Sequence, residues 1–81
     1  MKLWFDNGYR ARVIARVKTE EEAIAVINKF CSDRNYKIYY IRKWKEKHPR
    51  HEVTKPHYVY DVGSHTQFFC LEIGNDLSNN I

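Results

Sequence analysis

The chain has 81 residues, 43% of them apolar and 30% charged, and its 14 Lys and Arg outnumber 10 Asp and Glu to give a formal net charge of +4. These proportions exclude the low-hydrophobicity, high-charge regime of disordered chains, and the length allows one small core. Two isolated cysteines, Cys31 and Cys70, do not make the disulfide framework of a small secreted domain, and no apolar run reaches the roughly 18 residues of a membrane span, so the sequence predicts a cytoplasmic protein without a signal peptide.

In chain order, residues 2–5 and 9–18 flank Asp6-Asn7-Gly8. Asn-Gly between apolar runs marks a hairpin, because both residues accept positive φ. In the second strand Ala11, Val13, Ala15 and Val17 alternate with Arg10, Arg12, Ile14, Arg16 and Lys18. Period two sends the first set to the core and leaves the other face almost wholly cationic. Trp4 and Phe5, just before the turn, are expected to cap one end of the core.

Thr19-Glu20-Glu21-Glu22 has the form of a capping box, so a helix is predicted to start at Glu20. Ala23, Ile24, Ile27, Phe30 and Cys31 recur at the spacing of one helical face. The helix should end near Arg34, with Asn35 in the left-handed cap conformation.

Residues 36–44 are rich in β-branched and aromatic side chains and predict a strand, with Ile38, Tyr40 and Trp44 on one side and Tyr39, Ile41 and Lys43 on the other. Residues 45–56, with two prolines, strong charge and no periodicity, read as a mobile loop. Strands over 57–62 and 67–73 form a second hairpin around Gly63-Ser64-His65-Thr66, with Phe69, Leu71 and Ile73 directed inward. The stretch Asp61-Val62-Gly63-Ser64-His65-Thr66-Gln67-Phe68-Phe69 resembles a hairpin of small proteins, without assigned activities, from phages and conjugative elements of low-GC Gram-positive bacteria. The resemblance implies a mobile-element origin and no mechanism. Residues 74–81 carry no pattern that packs and are expected to form a flexible tail. The expected fold is one α+β domain over 1–73, an antiparallel sheet of 4–5 strands in the order ββαβββ. One helix covers one face and the other face is left to water or a partner.

Two constellations could carry function. Arg10, Arg12, Arg16 and Lys18 form a cationic sheet face that Tyr40, Arg42 and Trp44, or Lys37 and Lys43 with Tyr39, could extend. Guanidinium groups neutralise phosphates while flat rings stack on unpaired bases. The stretch over 42–57 is the second, where Lys43, Lys45, Lys47, Arg50 and Lys55 could follow a phosphate backbone with strong salt dependence. The same charges serve equally to keep an open face soluble and its edges unpaired.

Other residue types support less. His48, His51 and His57 are close in sequence, but Pro49 and the distance to either Cys argue against a metal site, leaving exposed loop histidines. Asp61, Ser64 and His65 are neighbours in one turn, where they satisfy backbone groups rather than build an oriented triad. No enzyme, cofactor or metal is predicted. The expected function is a small non-enzymatic binding module that engages a protein partner, or a second copy of itself, through a sheet edge or the open face. Nucleic-acid binding through the basic, aromatic face and the 42–57 stretch is the alternative, and the exposure of Tyr40 and Trp44 separates the two.

Overall fold

The first hairpin is built by two side chains. Asn7 Oδ1 accepts the N–H groups of Tyr9 and Arg10 at 2.9 Å each, Asp6 Oδ1 accepts the Gly8 N–H at 2.7 Å, and Gly8 takes a φ of +97°. In the computed structural model, which describes residues 1–73, this turn joins β1 (Lys2–Asp6) to β2 (Ala11–Arg16). The tail expected over 74–81 lies outside the described residues.

Helix α1 (Glu20–Asp33) starts where Thr19 Oγ1 accepts the Glu22 N–H at 3.1 Å, and Asn35 at φ +58° turns the chain away at the other end. The Glu22 carboxylate reaches back to the Lys18 N–H at 2.6 Å rather than to that of Thr19, which shifts the capping box by one residue. Ala23, Ile27, Phe30 and Cys31 form its buried face.

Strands β3 (Arg42–Glu46), β4 (His57–Asp61) and β5 (Phe68–Glu72) complete one antiparallel sheet in the order β2-β1-β5-β4-β3. The element order ββαβββ of a small α+β domain is thus present. Helix α1 carries the chain from one edge strand to the other and covers one face on the way. Leu3, Phe5, Tyr60, Phe69 and Leu71 meet it there, with Phe30 4.7 Å from Phe5 and edge-on to Phe69 at 5.6 Å. Ring pairs in this geometry add to the area they bury.

Three expectations need correction. The alternation along β2 does not run through: the β1–β2 register shifts between Leu3 and Trp4, so that Leu3 faces Ala15 while Trp4 faces Val13, and Ile14 is the extra residue of a bulge. A bulge reverses the phase of everything beyond it. Ala11 and Val13 therefore share the face of Trp4, away from the helix, while Ala15 and Val17 lie on the helix side. Arg12 also lies on the helix side, 5.9 Å above the Phe30 ring, and Arg16, opposite Lys2, on the far one. Phe5 and Trp4 accordingly belong to opposite faces rather than to one capped end.

The second correction concerns 36–44, where regular pairing begins only at Arg42 and continues to Glu46. Tyr36 is tied to the helix end through its N–H and the Cys31 carbonyl at 2.8 Å, and Tyr39 donates to the Val62 carbonyl at 3.0 Å. Residues 36–41 are thereby used to travel from the helix to the sheet edge. Ile38 packs on the helix-side core and Trp44 on the opposite face, so they do not share a side.

The third correction is that 47–56 is not a free loop. Val53 is completely buried with Ala11, Val59 and Cys70, and Arg50 and Val53 exchange N–H···O bonds of 2.8 and 2.9 Å around a two-residue turn at His51-Glu52. The segment lies across the face that the sequence leaves open.

Gly63 anchors Tyr39 against the β4–β5 turn. Its φ is +92°, and a Cβ there would sit 2.9 Å from Tyr39 Cβ. Replacing Gly63 with Ala meets backbone strain and a side-chain collision together, and we expect a loss of about 2 kcal/mol in urea unfolding. Unchanged stability would contradict the placement of Tyr39.

Candidate functional site

Alternation along the paired strands sets Trp4, Asp6, Phe68, Cys70, Glu72, His57, Val59, Asp61, Trp44 and Glu46 on the face away from α1. Asp6 and His57 are fully buried there. A buried carboxylate needs a partner, and the 47–56 segment supplies it. Arg50 Nη1 lies 3.2 Å from Asp6 Oδ2, and its Nε and Nη2 reach the Glu46 carboxylate at 3.2 and 3.3 Å, with the guanidinium 4.8 Å above the Phe68 ring. One arginine thus ties the first strand, the third strand and the segment between β3 and β4.

Glu46 is the acceptor on which most of the cluster converges. Besides Arg50 it takes the Trp44 indole N–H at 3.1 Å and faces His57 Nε2 at 3.1 Å. Burial pushes its carboxyl up, but the hydrogen bonds from Arg50, Trp44 and His57 outweigh that and hold it at about 2. His57 Nδ1 faces the Lys55 carbonyl at 2.7 Å. A carbonyl and an ionised carboxylate both accept, so whichever ring nitrogen carries the hydrogen donates to one of these two partners.

The remaining polar groups are also satisfied. Trp4 donates its indole N–H to Glu72 at 2.7 Å, and His51 Nε2 lies 3.6 Å from Asp6. Cys70, buried under Arg50, has its thiol pushed up to about 12 by desolvation, which keeps it un-ionised and inert. Among the described residues no three His, Cys, Asp or Glu side chains form a metal-holding group. At the β4–β5 turn Asp61 accepts the Gly63 N–H at 2.9 Å, and Ser64 Oγ accepts those of Thr66 and Gln67 at 3.3 and 3.2 Å.

The basic residues singled out from the sequence are dispersed. Arg12 stands over Phe30 on the helix side, Arg16 on the far face, and Arg10 at the β2 edge beside Glu52. Arg50 is inside the cluster, Lys18 lies at a groove beside Met1, and Lys55 flanks His57. They do not form one cationic face.

What the structure does bring together lies on and before β3. Tyr39, Tyr40 and Ile41 expose 65, 50 and 38% of their surfaces in succession. Arg42 follows, 6.0 Å from the Tyr40 ring and 5.5 Å from Trp44, with a salt bridge to Asp61 at 3.0 Å. Tyr40 is therefore open, while Trp44 is half-buried beneath the 47–56 cover. On the helix side Lys43 bonds Glu20 at 2.7 Å, and Glu20, which also accepts the Tyr60 hydroxyl at 2.6 Å, has its carboxyl lowered first by Lys43 and then by Tyr60. Lys45 and Lys47 are exposed and make no ion pair among the described residues.

Sequence reasoning did not single out Asp6, Glu46, Glu72 or Val53. The signal that could have found the acids was their position in strands at alternate residues with Trp4, Trp44 and Cys70, where charge on a solvated face would not need aromatic neighbours.

The site is thus an edge strand with an aromatic approach, on a helix-backed antiparallel sheet whose second face carries its own cover. Comparison of the chain with known protein families, curated proteins and solved structures finds no match.

Replacing Arg50 with Met leaves the buried Asp6 carboxylate and the half-buried Glu46 carboxylate without their cation, and we expect a loss of about 3–5 kcal/mol in denaturant unfolding; a loss under about 1 kcal/mol would contradict the cluster. Because the Glu46 carboxyl is held below its unfolded value, its contribution is complete above about pH 4.5 and is lost as pH falls toward about 2. Urea midpoints across that window should fall less steeply in Glu46→Gln than in the parent protein.

Proposed function

We propose that this protein is a small non-enzymatic binding module that engages another protein through its β3 edge and the exposed approach to it. The observation that supports this reading is the succession Tyr39-Tyr40-Ile41-Arg42, open to solvent and leading into an edge strand, on a molecule whose two sheet faces are both covered. Tyrosine and arginine dominate the energetic centres of protein interfaces, because each offers large contact area with a polar tip. An edge strand adds a row of unpaired N–H and C=O groups. Gly63 and the Tyr39–Val62 hydrogen bond hold the approach in place, so little of it has to be ordered on binding. A role accessory to a mobile element, implied by the Asp61–Phe69 resemblance, suits a module of this size.

Nucleic-acid binding is the second reading, and the proximity of Arg42 to the Tyr40 and Trp44 rings, with Lys45 and Lys47 following in the chain, is what favours it. The scattering of Arg10, Arg12, Arg16 and Arg50 over different surfaces weighs against it, since phosphate binding needs several cations along one track.

Selection of random peptides displayed on phage against the immobilised protein tests the first reading. We expect clones whose binding falls at least about tenfold on Tyr40→Ser or Ile41→Ser, while those variants keep the parent unfolding midpoint. Clones indifferent to both substitutions, or salt-sensitive binding of labelled single-stranded oligonucleotides lost on Arg42→Gln, would overturn it in favour of another surface or the second reading.

A further inference from the structure

The two edges of the sheet are not equivalent. At β2 the N–H of Ala11 is taken by the Glu52 carboxylate at 2.6 Å, and the bulge at Ile14 breaks the register of the strand. Both features hinder pairing with another chain. At β3 the register with β4 runs unbroken through all five residues, and among the described residues β3 pairs with β4 alone. A regular strand with one free side is the geometry that accepts an added strand.

The exposed charge along that free side is mostly positive, with Arg42 paired to Asp61 and Lys43 to Glu20 while Lys45 and Lys47 make no ion pair among the described residues. Lys37, Arg42, Lys43, Lys45 and Lys47 are all exposed, whereas the acid of β3, Glu46, is turned under the 47–56 cover and bonded by Arg50. A second copy of this chain adding through its own β3 would bring these cations against each other, and like charges directly opposite destabilise a strand pair. Opposite charges in the same positions stabilise it. Lys43 and Lys45 stand on one side of the strand, opposite Tyr60 and Tyr58, so carboxylates two residues apart on an added strand would face both.

We propose, resting on the reading of the β3 edge given above, that the partner presents an extended acidic segment that pairs with β3 as a sixth strand, with Asp or Glu at alternate positions over Lys43 and Lys45 and an apolar side chain against Tyr40 and Ile41. Main-chain hydrogen bonds supply affinity that does not depend on sequence, and the lysines select for acid. The cationic edge does two things at once: it keeps copies of this protein apart and leaves the strand open to a partner of opposite charge.

The test uses a capped peptide of about eight residues alternating Glu and Val, the same peptide with Lys for Glu, and a version with Pro at alternate positions, each titrated into nitrogen-15-labelled full-length protein. The Glu peptide is expected to slow hydrogen exchange of β3 amides and to weaken at least about fivefold between roughly 0.05 and 0.3 M salt. The Pro version should lose binding, and Lys45→Glu with Lys47→Glu should cost the Glu peptide about tenfold while gaining affinity for the Lys peptide. Equal binding of Glu and Lys peptides at β3 would overturn the acidic partner and leave the protein-binding reading intact. Displayed clones that depend on Tyr40 but leave β3 amides unprotected would overturn strand addition alone. Failure of peptides and displayed clones together would remove both.

Discussion

The bridge from Arg50 to Asp6 and Glu46 is the interaction on which the rest of the molecule depends. Asp6 is fully buried at the end of β1, in the turn whose geometry it also sets by accepting the Gly8 N–H. A carboxylate in that position would cost several kcal/mol if it were left alone. The guanidinium that relieves it comes from the segment between β3 and β4, so satisfying the first hairpin closes that segment over the sheet. Val53 follows Arg50 into the interior and converts the second face into a small apolar cluster with Ala11, Val59 and Cys70. A sheet backed by one helix thereby gains a cover on its second face as well.

Closing that face relocates everything that could bind. An open cationic face would have offered a platform for bases or for another sheet, but no such face exists among the described residues. What is left is the outline of the sheet. At one edge Glu52, part of the same cover, takes the Ala11 N–H, so the closure that buries Val53 also blocks β2. At the other edge β3 stays regular, cationic and open, preceded by the exposed rings of Tyr39 and Tyr40. The asymmetry between the edges follows from where one segment lies.

Much of this was legible in the residues and part was not. The helix is fixed locally: Thr19 accepts from Glu22 N–H and Asn35 turns left-handed, so its limits needed no tertiary information. The inward set Phe69, Leu71 and Ile73 was readable for the same reason, since alternation in β5 is uninterrupted. The β2 bulge was not read, although the run Val13-Ile14-Ala15 carries it: three apolar residues in succession cannot all sit on one side of a strand, and a change of phase is what reconciles them. The cover over 47–56 was the largest omission. Its prolines and charges look like solvation, and nothing within the segment says that Arg50 has two acids waiting 44 and 4 residues away. Pairing between distant charges is decided by the register of strands and cannot be seen in a window of sequence.

Residues 47–56 form a fixed cover and not a solvated loop. Hydrogen exchange at the Val53 amide tests it most directly, because that N–H is bonded to the Arg50 carbonyl at 2.9 Å inside the cover and to nothing in the sheet. Protection comparable to that of the β5 amides is expected, falling together with theirs when Arg50 is replaced. Exchange of Val53 at the rate of an unstructured peptide, in a protein whose β5 amides are protected, would contradict it.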